Sequence, residues 1–390
     1  MTPPLTILET LTRGQRFVLP TGPLTSRLPF GDTEIHITLG VDNGNDACKT
    51  TIMLDGGRLL SLRFPAAYQI ASVIRGGTAF VNYQTNQGIP YWIGEAALQN
   101  DGEALPIGPT AQRLSDLRQR EFIMACIVET LNRADITPGK IHVWAGFAIP
   151  NEEIVLSRTG QREELGVSDE TKLALKKWLR GTTHQIVRTD ERGRSSEWTI
   201  VLHKLLPQAQ SVGSYLAWSA APNGAVLTDV EALSLLDIGG GDLQRTDILT
   251  APYRMSTTHL GAGTIGIARA LKARFPRLGL NDVAAQQALV SRQLRISGRV
   301  QDISSEVQDV IQTHGADVLG RILPALQQQS RYVLIGGGGV ILLRALVMER
   351  LHTIGKVAGR DFDAIPPEYA STLNSVGALF AVMFAAGARG

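Results

Sequence analysis

The chain carries one device twice: an apolar strand that ends in an aspartate and runs straight into glycine. The first copy is ITLGVDNGNDACKT at 37–50 and the second is LSLLDIGGGDLQRTDI at 233–248. Phosphates need backbone N–H donors at close range, which glycine permits because it has no Cβ, and a hydrated Mg²⁺ needs carboxylates nearby. The pair therefore predicts two halves of one nucleotide site, facing each other across a cleft. A third glycine run, IGGGG at 335–339, strengthens that expectation.

A chain of 390 residues exceeds the usual size of a single core, so two lobes are expected. The formal charge of +2 creates no field on the scale of a polyanion, and direct DNA binding is not expected. Only Cys48 and Cys126 occur, which argues against a disulfide framework or a zinc site and fits a reducing interior. The N-terminal MTPPLTILETLTRGQ lacks the pattern of a secretory signal. The longest apolar stretch, Val376 to Ala386, is shorter than the roughly 20 residues a bilayer span needs. A cytoplasmic protein with no membrane partner is the expectation. Residues 1–33, rich in Pro, Thr and Gly, read as an irregular arm.

Ile35, Ile37, Leu39 and Val41 alternate with other residues and predict a strand that delivers Asp42 at its end. Thr51–Leu54 and Leu59–Phe64 flank Asp55-Gly56-Gly57, a hairpin turn. Residues 66–110 read as a small insert with little periodicity. A helical face spans Leu114 to Arg133, a strand Ile141 to Ala145, and a further helix follows Ser168-Asp169-Glu170. A second hairpin is expected over 184–203, and a helix from Gln208 to Trp218. After the Asp237 strand come a helix from GAGTIG to Arg274, a long helix through Ile303, Val307, Ile311, Val318 and Ile322, a strand at 333–335, a helix at 340–351 and a buried last helix near 370–386.

Within Asp42-Asn43-Gly44-Asn45-Asp46-Ala47-Cys48-Lys49, a hairpin can wrap phosphates with backbone N–H groups while Lys49 supplies charge. A tight β-turn with an incidental lysine is the plainer alternative. Gly239-Gly240-Gly241-Asp242 closes an apolar strand, where a glycine run implies close backbone approach. Gly336-Gly337-Gly338-Gly339 lies between a strand and a helix, where missing side chains let a nucleoside lie against the backbone near the helix start. GAGTIG, with Gly261 and Gly263, matches a dinucleotide fingerprint, but no apolar strand precedes it. It is read instead as a loop opening a helix beside the nucleotide, or as a helix start alone. There is no P-loop and no serine elbow. The histidines at 36, 142, 184, 203, 259, 314 and 352 form no metal-ligand pair on a helix and read as ordinary surface or core residues.

Taken in order, these segments resemble the actin-fold ATPase superfamily, and in detail its plasmid-segregating bacterial actins of the ParM (StbA) type and their archaeal relatives. Asp42 to Lys49 resembles the first phosphate loop, Asp237 to Asp242 the second, and Gly336 to Gly339 the adenosine motif. WAGFAIP at 144–150, Leu206-Pro207-Gln208 and the segment from Pro367 through Gly377 are similar to further elements of that group. Three departures stand out: Asp242 occupies the place where a threonine is usual and Thr246-Asp247 arrives late, the N-terminal arm is unusually long, and residues 66–110 match no element of that group.

The resemblance implies an α/β, actin-like fold of two RNase H-like lobes, each a mixed sheet flanked by helices, with nucleotide in the cleft between them. Lobe I is expected at 34–222 with its insert at 66–110, and lobe II at 223–365 with an insert at about 270–325. Residues 366–390 return to lobe I. ATP or ADP with Mg²⁺ is the implied ligand, held through water by Asp42 and Asp237. Gly44, Asn45, Asp46, Lys49, Gly239, Gly240, Gly241, Asp242, Gly261, Gly263 and Gly336 to Gly339 are the implied contacts. Gln208 is the residue expected to orient the attacking water, with Asp42 and Asp237 as its partners in catalysis. Slow ATP hydrolysis, self-assembly into filaments and a small DNA-binding adaptor to plasmid DNA complete the expectation. A sugar-type kinase or a non-hydrolysing scaffold on the same fold is the alternative.

Overall fold

The computed structural model describes residues 25–28, 34–55, 58–71, 80–85, 88–100, 102–159, 162–179, 183–219, 232–250, 253–261, 263–296, 299–327, 332–358, 360–365 and 370–387. Apart from 25–28, the expected arm at 1–33 lies outside them. The described chain divides into two compact units, one within Arg16–Pro222 and Asn374–Gly390 and the other within Asn223–Leu373.

The first unit is organised on one mixed sheet. Its elements run β1 (Arg27–Leu28), β2 (Ile35–Asn43), β3 (Ala47–Met53), β4 (Leu59–Pro65), β5 (Ala67–Ile70), β6 (Asn82–Thr85), β7 (Pro90–Ile93), α1 (Gly94–Leu98), β8 (Glu103–Ala104), α2 (Thr110–Ser115), α3 (Leu117–Arg133), β9 (Lys140–Ile149), β10 (Ile154–Thr159), β11 (Arg162–Val167), α4 (Asp169–Leu179), β12 (Thr183–Thr189), β13 (Ser195–Ala209) and α5 (Gln210–Ser219). The strand order is β4-β3-β2-β9-β13-β12-β6-β7-β5-β8, with β1 beside β2 and β10–β11 a separate hairpin. β2, β9 and β13 are parallel neighbours at the centre.

Residues 66–110, expected to show little regular structure, add β5 to β8 to this same sheet through the pairing of β6 with β12. The strands are two to four residues long. That is too short for an alternating pattern to register in sequence. The expected helix from Leu114 breaks at Asp116, whose carboxylate accepts from the Arg118 N–H and caps α3.

β2 is buried on both faces. Ile37, Leu39 and Val41 enter the core with Phe122, Ile123, Cys126 and Ile127 of α3. The opposite face is held to small and polar residues because the C-terminal helix, Leu373–Gly387, lies directly on it. Gly40 and Gly146 are register partners on β2 and β9. A Cβ at Gly40 would collide with the Ser375 carbonyl, and one at Gly146 would stand 2.5 Å from the Ala378 carbonyl carbon. Thr51 and Ser375 hydroxyls bond across the same contact at 2.7 Å. Helix and sheet meet here backbone to backbone.

The second unit has β14 (Ala232–Ile238), β15 (Leu243–Thr250), β16 (Tyr253–Gly261), α6 (Ile265–Arg274), α7 (Asp282–Ser291), β17 (Gln293–Ile296), β18 (Arg299–Asp302), α8 (Ser304–Gln327), β19 (Tyr332–Gly336), α9 (Val340–Thr353) and β20 (Phe362–Ala364). Its sheet runs β16-β15-β14-β19-β20, with β17–β18 a separate hairpin. β14 and β19 are parallel, so the Asp237 turn and the four-glycine turn emerge at the same sheet end.

Candidate functional site

In the first unit, strand register builds the site. Lys49 pairs with Asp42, Asp42 with Ala148, and Ala148 with Gln208, one row across β3, β2, β9 and β13. Residues in register share a face, so acid, base and amide project together at the end of the parallel strands. Ala148, the smallest side chain in the row, leaves room between the carboxylate and the Gln208 amide. All three polar members are buried.

The Lys49 ammonium stands 3.6 Å from Asp42 Oδ2 and 3.2 Å from Asp46 Oδ1, and Arg63 takes Asp46 Oδ2 at 3.0 Å. Burial pushes the Lys49 pKa down, but Asp46 and Asp42 outweigh it and hold the ammonium above its usual pKa. Burial likewise pushes the Asp46 carboxyl up, yet Lys49 and Arg63 prevail and keep it far below the ordinary carboxylate range. The hairpin between β2 and β3 closes through the Gly44 N–H to the Ala47 carbonyl at 3.0 Å. A Cβ at Gly44 would stand 2.7 Å from Lys49 Nζ, so glycine is what lets the lysine lie over the turn.

Helices behind the hairpin fix it. Arg113 of α2 donates to the Asn43 carbonyl, and Gln119 of α3 donates to Asn43 Oδ1 at 2.9 Å. Among the described residues, Asn43 Nδ2 and Asn45 Oδ1 are buried without a hydrogen-bond partner, a need that water or a bound ligand would meet.

Gln208 is not at a helix start as expected. It lies in β13, because pairing with β9 continues through Pro207-Gln208-Ala209 onto Phe147-Ala148-Ile149. The helix begins two residues later at Gln210, whose Nε2 donates to Asp42 Oδ1 at 3.1 Å. Gln210, Arg63, Arg113 and Gln119 were missed in sequence. Only Gln210 left a signal there, as a second glutamine beside the first.

In the second unit three glycine segments converge. Asp237 is the register partner of Gly336, and Gly337 has φ +89°. A Cβ at Gly337 would overlap Asp237 Oδ1. The Gly339 N–H donates to the Ile238 carbonyl at 2.7 Å. The turn after β14 closes with the Gly239 N–H on the Asp242 carbonyl at 2.8 Å. Its outward carbonyls are taken by the GAGTIG loop: the N–H groups of Gly263, Thr264 and Ile265 donate to Gly241, Gly239 and Gly240. GAGTIG thus opens α6 and buttresses the turn. Gly261, at the end of β16, is packed on the Arg321 guanidinium of α8. Asp242 accepts from Gln244 at 2.6 Å, while Asp247 lies on β15 bonded to Ser234 and Arg245.

Compared by sequence, the chain matches no family model and no curated protein. Compared by structure, its fold is the actin-like fold, a mixed α/β architecture with a large sheet flanked by helices. Among the solved structures it resembles are the archaeal actin homolog Ta0583, at TM-score 0.60 and 16% identity, covering 88% of this chain and 98% of that one. Ta0583 in complex with ADP gives 0.59 and 15%, covering 88% and 97%. Bacillus thuringiensis ParM with ATP gives 0.60 and 13%, covering 88% and 97%. Among the described residues, no helix is long and apolar enough to cross a membrane.

Proposed function

We propose that this chain binds ATP with Mg²⁺, hydrolyses it slowly and assembles into filaments whose stability follows the bound nucleotide. The observation that carries this reading is the row Lys49–Asp42–Ala148–Gln208, with Gln210 fixed on Asp42. Solved structures of similar fold hold ATP or ADP, which supports the same ligand class here.

The donor set fits a hydrated magnesium ion. Both Asp42 oxygens are already engaged, by Gln210 and Lys49, so contact through water suits this carboxylate better than direct ligation. Asp237 is the corresponding carboxylate of the second unit. The ion would neutralise phosphate charge. Lys49 exchanges part of its pairing with Asp42 and Asp46 for a phosphate oxygen. The orphaned Asn43 amide and the backbone of Gly44 to Asp46 supply further donors. In this proposal Gly239 to Gly241 and Gly336 to Gly339 are the nucleotide contacts of the second unit, with Gly261 and Gly263 beside them.

Gln208 orients the attacking water, since its amide both donates and accepts. A glutamine is a poor proton acceptor, and catalysis by positioning and electrostatics alone gives slow turnover. Slow turnover suits an assembly switch, in which hydrolysis weakens contacts that ATP favours. The cargo in this proposal is plasmid DNA, reached through a small DNA-binding adaptor.

Phosphate release and sedimentation test the proposal together. Gln208→Ala lowers ATP hydrolysis by about 100-fold while ATP still binds. The wild-type chain pellets with ATP and less so with ADP. A chain that stays monomeric at high concentration with ATP removes the filament claim, and unchanged hydrolysis in Gln208→Ala removes the role of that residue.

A further inference from the structure

Histidines that look scattered in sequence meet on the first unit's sheet. His36 and His142 are register partners on β2 and β9, with rings stacked at 4.6 Å between centroids. His203 is the extra residue of a β-bulge between Leu202 and Lys204 of β13, and its ring lies 5.7 Å from His36 and 6.1 Å from His142. A bulge re-aims a side chain, and here it turns a third imidazole toward the other two. Trp144 stacks on His203 at 4.7 Å and donates to His36 Nδ1 at 3.4 Å, which holds both rings in place.

Glu34, just ahead of β2, completes the group. Its Oε2 stands 3.0 Å from His142 Nε2, and its Oε1 pairs with Lys140 at 2.5 Å. Among the described residues, neither ring nitrogen of His142, which is only 9% exposed, makes a hydrogen bond of good geometry. One ligand atom each from Glu34, His36 and His142 lies within 4.8 Å of the others. Around a tetrahedral ion with bonds of about 2.0–2.1 Å, ligand atoms sit roughly 3.3 Å apart, so the three side chains draw together when an ion binds.

We propose that Glu34, His36 and His142 form a binding site for a borderline divalent cation, of which zinc is the type, separate from the Asp42 site. Two imidazoles and a carboxylate select this class over magnesium, which takes oxygen ligands. The ion sits between Glu34 and His142, whose facing atoms are 3.0 Å apart, and water fills the remaining position. Bound there, it ties the start of β2 to β9.

Calorimetric titration of the untagged full chain with ZnCl₂, in millimolar MgCl₂, tests this. The expected result is one zinc bound per chain, removed by chelator and not displaced by magnesium. Glu34→Gln and His142→Ala each weaken binding by about tenfold or more. Glu34 is exposed, so Glu34→Gln keeps the wild-type circular dichroism spectrum and its loss of zinc is not unfolding. Absence of saturable zinc binding, or wild-type affinity in either variant, overturns the proposal.

Discussion

Replacing Gly146 by alanine places a methyl group where the sheet meets the C-terminal helix. The new Cβ would stand 2.5 Å from the Ala378 carbonyl carbon, against 3.4 Å for an ordinary contact, so the helix must retreat by at least about 0.9 Å. Overpacking of this kind costs about 1–3 kcal/mol. The same retreat stretches the 2.7 Å hydroxyl bond between Thr51 and Ser375 past useful length, adding about 1 kcal/mol. Gly146→Ala is therefore expected to lose about 2–4 kcal/mol in urea unfolding, followed by tryptophan fluorescence. Gly40 meets the same helix at Ser375 and Leu379. One retreat accommodates both methyl groups, so the Gly40→Ala/Gly146→Ala double variant should lose less than the sum of the singles. A loss under about 0.5 kcal/mol in Gly146→Ala, or strict additivity, would refute a backbone-to-backbone contact.

Asp46→Asn probes the hairpin electrostatics. The Asp46 carboxyl is depressed in the folded state, so its stabilisation is complete above the unfolded value of 3.8 and fades as pH falls below it. At pH 7 the variant should be less stable by about 1.5–3 kcal/mol. Below pH 4 the wild type should lose stability more steeply than the variant; parallel acid limbs would show that Asp46 carries no such linkage. Gly320 lies exposed inside α8 with no atom of the described residues near an added Cβ, so Gly320→Ala should gain about 0.5–1 kcal/mol, and thermal unfolding would expose the opposite sign.

What the sequence revealed follows from which interactions are local. The alternation of Ile35 to Val41 names β2 because one face meets an apolar helix. The glycine runs at 239–241 and 336–339 are legible because they mark close approach, and both turns sit on parallel neighbours. The β10–β11 hairpin left no trace, since Ile154–Thr159 and Arg162–Val167 mix charged and apolar residues without a clear period. The place of Gln208 was misjudged because pairing with β9 decides where β13 ends, and that pairing is long-range. The Glu34, His36 and His142 group was invisible for the same reason. Two histidines on different strands become neighbours only through register, which no spacing along the chain encodes.

Isothermal titration of wild-type and Lys49→Met chains with ATP in the presence of MgCl₂ tests the central claim most directly. Lys49 is the only ammonium in the Asp42 row, and Arg63 stays on Asp46 when it is removed. The account predicts saturable nucleotide binding by the wild type and affinity at least about tenfold weaker in the variant, because a charge-assisted phosphate contact is lost. Equal affinities in the two chains, or a wild type that binds no nucleotide, would contradict it.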